Sequence, residues 1–323
     1  MESNTKNTSH TRLKLAQRLK PKHLTLLTQL KRYASLSKVA ALNGVSQPAI
    51  TKALLELEDL CGGKLFQRSG RGLIPTALGS LAILKASHLS QELDNWESEL
   101  VAVKEGRSGR LCIGAIPYVS GNLLAEVVSE FHLRYNAVVS IRHATSDVLV
   151  KALEARELDC MLGRASGLAG NNDLWHEALY TQTPVLIAHE TLAKRLAHQT
   201  LDWKKLAEFK WMLPASSTPV GLKMAEIFLQ AHVRMPTPII ETYSIDVMHG
   251  VLSKQADTLS VVPEDIAYDL VKRGSIGIIP GQLNWELPPI SLIRRVRSER
   301  SLLEQQFAEL LHELCRAYSV SLA

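Results

Sequence analysis

The sequence predicts three successive parts: a small, mainly helical winged helix-turn-helix domain, one long connecting helix, and a larger α/β domain. Three observations lead there. Residues 1–75 hold 13 Lys and Arg against 4 Asp and Glu, whereas residues 111–323 hold 20 against 23, so a basic end precedes a slightly acidic remainder. Within the basic end, two short helical patterns flank a glycine turn. After a regular heptad stretch, strands and helices alternate, which is the order of an α/β domain.

Composition removes several classes. A chain of 323 residues with 46% hydrophobic and 21% charged residues has material for two or three cored domains. No stretch approaches the roughly 18 uninterrupted apolar residues of a membrane helix. Met1–Thr11 is polar, with no signal-peptide core, so a cytoplasmic location is expected. Cys61, Cys112, Cys160 and Cys315 are far apart and form no CxxC pair, which points to reduced, buried thiols rather than a metal site or disulfide framework. There is no HExxH, nucleophile elbow or phosphate loop, so no catalytic residue, metal or cofactor is expected.

Taken in order, residues 1–20 form a polar arm carrying Arg12, Lys14, Arg18 and Lys20. Lys22–Ala34 is a first helix with Leu24, Leu27, Leu30 and Tyr33 on one face. Lys38–Leu42 is a second, and Asn43-Gly44-Val45 a tight turn in which Gly44 takes positive φ cheaply. Ser46 opens the third helix; its hydroxyl is expected to cap the amide near Ala49, and Pro48 is tolerated in a first turn. Ile50, Ala53, Leu54, Leu57 and Leu60 make its buried stripe. Gln47, Pro48, Thr51 and Lys52 lie in its early turns, where a recognition helix meets base edges and phosphates. Gln pairs with adenine, Thr offers a hydroxyl or methyl, and Lys suits guanine or phosphate. Lys64–Arg68 and Ser69–Pro75 read as a two-stranded wing with glycines at its tip.

Thr76–Lys104 is a long helix in which Ala82, Ala86, Leu89, Leu93, Trp96, Leu100 and Val103 recur in steps of four and three. That is a heptad seam, expected to pair two copies through Leu89, Leu93, Trp96 and Leu100. Beyond Gly106-Arg107-Ser108-Gly109 come the strand Leu111–Ile116, helix Asn122–Arg134, strand Ala137–His143, helix Asp147–Arg156 and strand Asp159–Leu162. Further strands are expected at Pro184–Ala188, Lys210–Leu213, Ile239–Tyr243, Leu259–Val262, Ile276–Ile279 and Ile290–Val296, with helices such as Gly221–His232, Ile245–Lys254, Glu264–Lys272 and Glu299–Tyr318.

The words Ser46-Gln47-Pro48-Ala49-Ile50-Thr51, Leu57-Glu58, Leu65-Phe66-Gln67-Arg68 and Pro75-Thr76-Ala77-Leu78-Gly79 resemble the DNA-binding domain of LysR-type transcriptional regulators, closely from Pro21 to Gly79 and more weakly beyond. Asn43 departs from the pattern, which has an apolar residue there. The resemblance implies a winged helix-turn-helix domain at 21–79, a dimerising linker helix at 80–108, and a two-lobed effector domain similar to type 2 periplasmic binding proteins. Its lobes would be 109–182 with 287–323, and 183–286. Lys64, Arg68, Arg71 and Thr76 would then bind DNA, the last three at its backbone and Arg71 able to reach the minor groove. Implied partners are promoter DNA with an inverted repeat, a small-molecule effector and a second copy in a homodimer or homotetramer, with room for a contact to RNA polymerase. The segments Ser46–Lys52 and Gly163-Arg164 look most like the branch controlling sugar and aromatic-acid catabolism.

Ligands of α/β lobes collect at strand carboxyl ends against helix N-termini. Three polar ends qualify: Pro117–Gly121 with Tyr118 and Ser120, Thr145-Ser146, and Pro214–Pro219. The family's effector-contacting positions fall on Tyr118, Ser146, Arg164 and the loop Ser216, Ser217 and Thr218. Each hydroxyl has a competing role as a helix cap, and Arg164 a competing role as an ion-pair partner of Glu157 or Asp159. An anionic or polyhydroxylated effector is expected. The alternatives, a stand-alone solute receptor or an enzyme, do not account for the basic winged end.

Overall fold

The computed structural model describes residues 15, 17–70, 72–166, 168, 171–198, 200–216, 218–281, 283, 285–296 and 301–322. Its contacts divide the chain into two units, Met1–Val101 and Ala102–Ala323.

In the first unit, helix α1 (Pro21–Tyr33) buries Leu24, Leu27 and Leu30 against α2 (Leu36–Leu42) and α3 (Gln47–Cys61). The α2–α3 turn has Gly44 at φ +65°, and Val45 donates back to the Ala40 carbonyl at 3.1 Å. Asn43, the departure from the family pattern, earns its place by polar means: its amide donates to Gln29 Oε1 at 2.6 Å and the Val39 carbonyl at 2.7 Å. Ser46 begins α3 by its backbone alone and makes no side-chain cap, contrary to expectation. Pro48 already pre-sets the first turn there. Strands β1 (Phe66–Ser69) and β2 (Gly72–Pro75) pair antiparallel as the wing. Gly72, at φ +108°, lets the wing lie on the end of α1, because a Cβ there would stand 2.5 Å from the Ala34 carbonyl oxygen. Thr76 caps the long helix α4 (Ala77–Lys104), accepting from the Gly79 amide at 2.9 Å. Ile83 and Ala86 close the winged core.

The second unit carries two five-stranded sheets. One has the order β4-β3-β5-β12-β6, from β3 (Arg110–Ala115), β4 (Val138–His143), β5 (Cys160–Arg164), β6 (Leu174–Tyr180) and β12 (Ile290–Arg295). The other runs β11-β7-β10-β8-β9, from β7 (Pro184–His189), β8 (Lys210–Leu213), β9 (Ile240–Glu241), β10 (Thr258–Pro263) and β11 (Ile276–Ile279). In each sheet the three strands at one edge are parallel, β4-β3-β5 and β10-β8-β9, and an antiparallel strand enters where the chain changes lobes. Helices α5 (Gly121–Tyr135), α6 (Ser146–Glu154) and α12 (Leu302–Leu322) cover the first sheet, with Phe131 and Phe307 edge to face at 5.3 Å. Helices α7 (Glu190–Leu196), α8 (Trp203–Leu206), α9 (Pro219–Gln230), α10 (Ile245–Leu252) and α11 (Glu264–Lys272) serve the second, around the buried Trp211. The chain passes between sheets at 181–183 and again between β11 and β12.

Strand β6 and the short helices α7 and α8 are absent from the sequence reading. Strand β6 is an edge strand whose Trp175, His176 and Glu177 face outward in part, so it shows neither a buried run nor clean alternation. The strand expected at Ile239–Tyr243 shortens to Ile240–Glu241, although Ile239 and Thr242 still donate to Trp211 and Leu213.

Candidate nucleic-acid interface and inter-lobe cavity

Helix α3 buries Ile50, Leu54, Leu57 and Leu60 and turns Gln47, Pro48 and Lys52 to solvent, with Thr51 half-buried beside them. These four residues and Leu55 line one shallow groove. The first of them is not loose. Ser37, at the start of α2, donates to Gln47 Oε1 at 2.8 Å, so the amide group presents its N–H donors outward. Thr51 donates its hydroxyl to the Gln47 carbonyl at 3.0 Å, so its oxygen keeps its capacity to accept.

In the wing, Arg68 is exposed on β1, while Lys64 is held at 2.6 Å by the buried carboxylate of Glu58. Glu58 also accepts from the Leu65 amide at 3.0 Å, so it shapes the α3–β1 loop as well as fixing Lys64. The Thr76 hydroxyl is committed twice, as the α4 cap and as a donor to the Lys64 carbonyl at 2.7 Å. Arg71 lies outside the described residues. Along α4, Leu89, Leu93, Trp96, Leu100 and Val103 stand 41–61% exposed, an apolar row.

Within the second unit, a cavity of about 840 Å³ opens between the two sheets' loops. Tyr118, Ser146, Arg164 and Thr218 line it; Ser120 and Ser216 do not, and Ser217 lies outside the described residues. Ser120 is fully buried and caps α5, accepting from the Leu123 amide at 3.4 Å. Thr218 caps α9, accepting from Gly221 at 3.1 Å. Sequence reasoning missed Asp147, Val150, Lys151 and Glu154 on α6, and Leu222 and Tyr243 across from them. Four-residue spacing from Asp147 to Lys151, and three-residue spacing from there to Glu154, would have put that face of α6 in the cleft.

Arg164, 4% exposed, ends β5 and binds both chain crossings: it donates to the Pro288 carbonyl on the return and to Gln182 Oε1, at 2.5 Å, on the way out. Neither acid considered for it is its partner. Glu157 pairs with Arg142 at 2.5 Å, and Asp159 accepts from the Cys112 amide at 2.8 Å. Burial pushes the Arg164 guanidinium down to about 10, which leaves it charged at neutral pH. Gln182 Nε2 in turn donates to the Asp265 carboxylate and to the Tyr118 carbonyl at 2.9 Å. Burial holds the Asp265 carboxyl above its ordinary range. Tyr118 belongs to the first lobe's β3–α5 loop, yet its ring packs into the second lobe's core. Its buried hydroxyl has no hydrogen-bond partner among the described residues, and burial raises its pKa.

No three-residue cluster of His, Cys, Asp or Glu suited to a metal occurs among the described residues, and no described helix is long and apolar enough to cross a membrane. Cys160 and Cys315 are buried and Cys61 and Cys112 half-buried, and none of the four is in a disulfide.

Two family descriptions match the chain: "Bacterial regulatory helix-turn-helix protein, lysR family" over residues 21–80, and "LysR substrate binding domain" over residues 104–316. Among curated relatives, the HTH-type transcriptional regulator PcaQ of Agrobacterium fabrum is 28% identical over 88% of this chain and 92% of its own. The HTH-type transcriptional regulator GalR of Pseudomonas putida is 26% identical over 85% and 68%. The crystal structure of CbnR, a LysR family transcriptional regulator, superposes with a TM-score of 0.59 at 19% identity, covering 92% of this chain and 99% of that one. CbnR complexed with its target DNA gives 0.61 at 19% identity, over 92% and 100%.

Proposed function

The chain belongs to the LysR family of bacterial helix-turn-helix transcriptional regulators, and from that membership we propose how its own residues divide the work. It is a sequence-specific DNA-binding regulator switched by a small molecule bound between the lobes of its C-terminal domain. Gln47, Pro48, Thr51 and Lys52 read the operator, while Lys64, Arg68, Arg71 and Thr76 hold the backbone. The observation that carries this is the outward row on α3, on the helix face opposite the buried stripe, at the N-terminal end that enters a major groove.

Residues 21–79 form the reading domain, 80–108 the linker helix, 109–182 with 287–323 the first lobe and 183–286 the second. The exposed row Leu89, Leu93, Trp96 and Leu100 pairs two copies, so that two reading helices meet an inverted repeat. Tyr118, Ser146, Arg164 and Thr218 line the effector cavity. Ser120 and Ser216, which lie off its walls, support its loops. The protein acts by binding rather than by catalysis, in the cytoplasm where its DNA is.

A gel shift of the full chain on its own promoter region, beside a scrambled duplex of equal length, tests the central reading. Tight, salt-sensitive binding to the promoter alone is expected. Equal affinity for both duplexes, or for neither, overturns it.

A further inference from the structure

Resting on the reading of α3 and the wing as the DNA face, we infer that the corner between α1 and α2 is a further DNA contact, in which Tyr33 is a positioning residue whose ring holds Arg32 and Lys38 against the duplex backbone. Neither the outward row on α3 nor the wing includes these three residues.

The place of the corner follows from a hydrogen bond on each side of it. Ser37, the neighbour of Lys38, donates to Gln47 Oε1 at 2.8 Å, which ties the start of α2 to the first residue of the reading row. Ala34, the neighbour of Tyr33, accepts from the Leu73 amide at 2.9 Å, and Leu73 lies opposite Arg68 in the wing. The corner therefore bridges the two elements that meet DNA. A duplex that receives Gln47 and Arg68 together passes over it.

The ring fixes the charges there. Lys38 Nζ stands over the Tyr33 ring at 5.0 Å from its centroid, and the guanidinium carbon of Arg32 at 5.4 Å. A ring face attracts a cation within about 6 Å. Tyr33 is itself half-buried and packed on the winged core, so the ring is held from the protein side. Arg32 and Lys38 are exposed, and neither forms an ion pair with a described residue. The nearby acids are engaged elsewhere: Glu58 by Lys64, Asp59 by Arg18, and Glu56 acts on His23 at the opposite end of α1. Two like charges drawn to one ring repel each other, and a phosphate oxygen set beside them relieves that repulsion. Long basic side chains already lying on a ring also lose less freedom when the phosphate arrives.

The test is a quantitative gel shift of full-chain variants across a salt series, on the chain's own promoter region and on a scrambled duplex of equal length. Arg32→Ala and Lys38→Ala, both at exposed positions, should each weaken the two duplexes alike, by about five- to tenfold near 0.1 M salt, and reduce the salt slope by about one. Tyr33→Leu keeps an apolar side chain without a ring face and should weaken both duplexes about two- to fivefold, whereas Tyr33→Phe, which keeps the ring, should bind as wild type does. Once both cations are replaced by Ala, Tyr33→Leu should add nothing. An unchanged salt slope in both single cation variants overturns the contact. Equal weakening by Tyr33→Phe and Tyr33→Leu, or a further loss from Tyr33→Leu when both cations are gone, overturns the positioning role of the ring. Gln47→Ala and Arg68→Ala, run alongside, separate the two readings. If they weaken binding while the cation variants do not, the corner alone is overturned; if they too have no effect, the reading of α3 and the wing fails and the corner falls with it.

Discussion

Arg164 and Asp265 oppose each other across one amide. Gln182 accepts from the Arg164 guanidinium at 2.5 Å and donates to the two carboxylate oxygens of Asp265 at 2.9 and 2.8 Å. The three side chains are 4%, 5% and 3% exposed and come from the first lobe, the outgoing crossing and the second lobe. A buried cation and a buried carboxylate are thereby joined through a neutral relay, and the two crossings are held together.

Replacing the relay by an apolar residue of similar size leaves both charges short of a partner. Gln182→Leu should cost about 3 kcal/mol of stability, the scale for a broken buried polar network. Urea unfolding of the isolated protein measures it. A loss below about 1 kcal/mol would mean that water or a neighbouring group replaces Gln182 easily.

Asp265 adds a pH dependence of known sign. Its folded pKa is raised above the ordinary 3.8, chiefly by burial. The contribution of the protonated form is therefore fully present below the unfolded value and is lost as pH rises through the folded one. Asp265→Asn keeps an acceptor for Gln182 without that titration, so its melting temperature should fall less than that of wild type as pH rises above about 4. Parallel curves for the two proteins would remove Asp265 as the source.

On the DNA face, Gln47→Ala or Thr51→Ala should cost roughly 1–3 kcal/mol against the operator and little against unrelated duplex. Ser37→Ala, which touches no DNA in this scheme, should blur the same base position by releasing Gln47 from its fixed orientation. Arg68→Ala should instead weaken all duplexes alike and reduce the salt slope by about one ion. Quantitative gel shifts across a salt series distinguish the patterns, and a base-specific loss for Arg68→Ala would contradict its assignment to the backbone.

For the linker helix, Leu93→Lys or Trp96→Lys should abolish self-association, because the new charge would have to be buried without a partner in the seam. Both positions are exposed in the single chain, so the fold should survive the change. Sedimentation velocity reads the outcome; an intact dimer in both variants would make the exposed row irrelevant to assembly.

The reading domain was legible because its signals are local. Capping chemistry, the Gly44 turn and the three- and four-residue recurrence of Leu54, Leu57 and Leu60 each act within a few residues, so the chain alone dictates α1 to α3 and the outward row on α3. The Ser46 cap failed on the same scale, where Pro48 and the backbone do the work expected of a hydroxyl. The alternation of strands and helices was likewise readable from apolar runs, except at the half-exposed edge strand β6.

The cavity was readable only in outline. By itself the sequence determined the family, the helix-turn-helix, the heptad row and the strand ends near Tyr118, Thr145 and Thr218, since each is set by spacing along the chain. Tertiary structure alone decided that Ser120 lies off the cavity while Thr218 lines it, that Arg164 binds Gln182 and Pro288 rather than Glu157 or Asp159, and that Tyr118 crosses into the other lobe's core. Those outcomes depend on which group meets which after burial: Arg164 and Pro288 are 124 residues apart in sequence, and only the docking of the two crossings sets which carbonyl the guanidinium can reach.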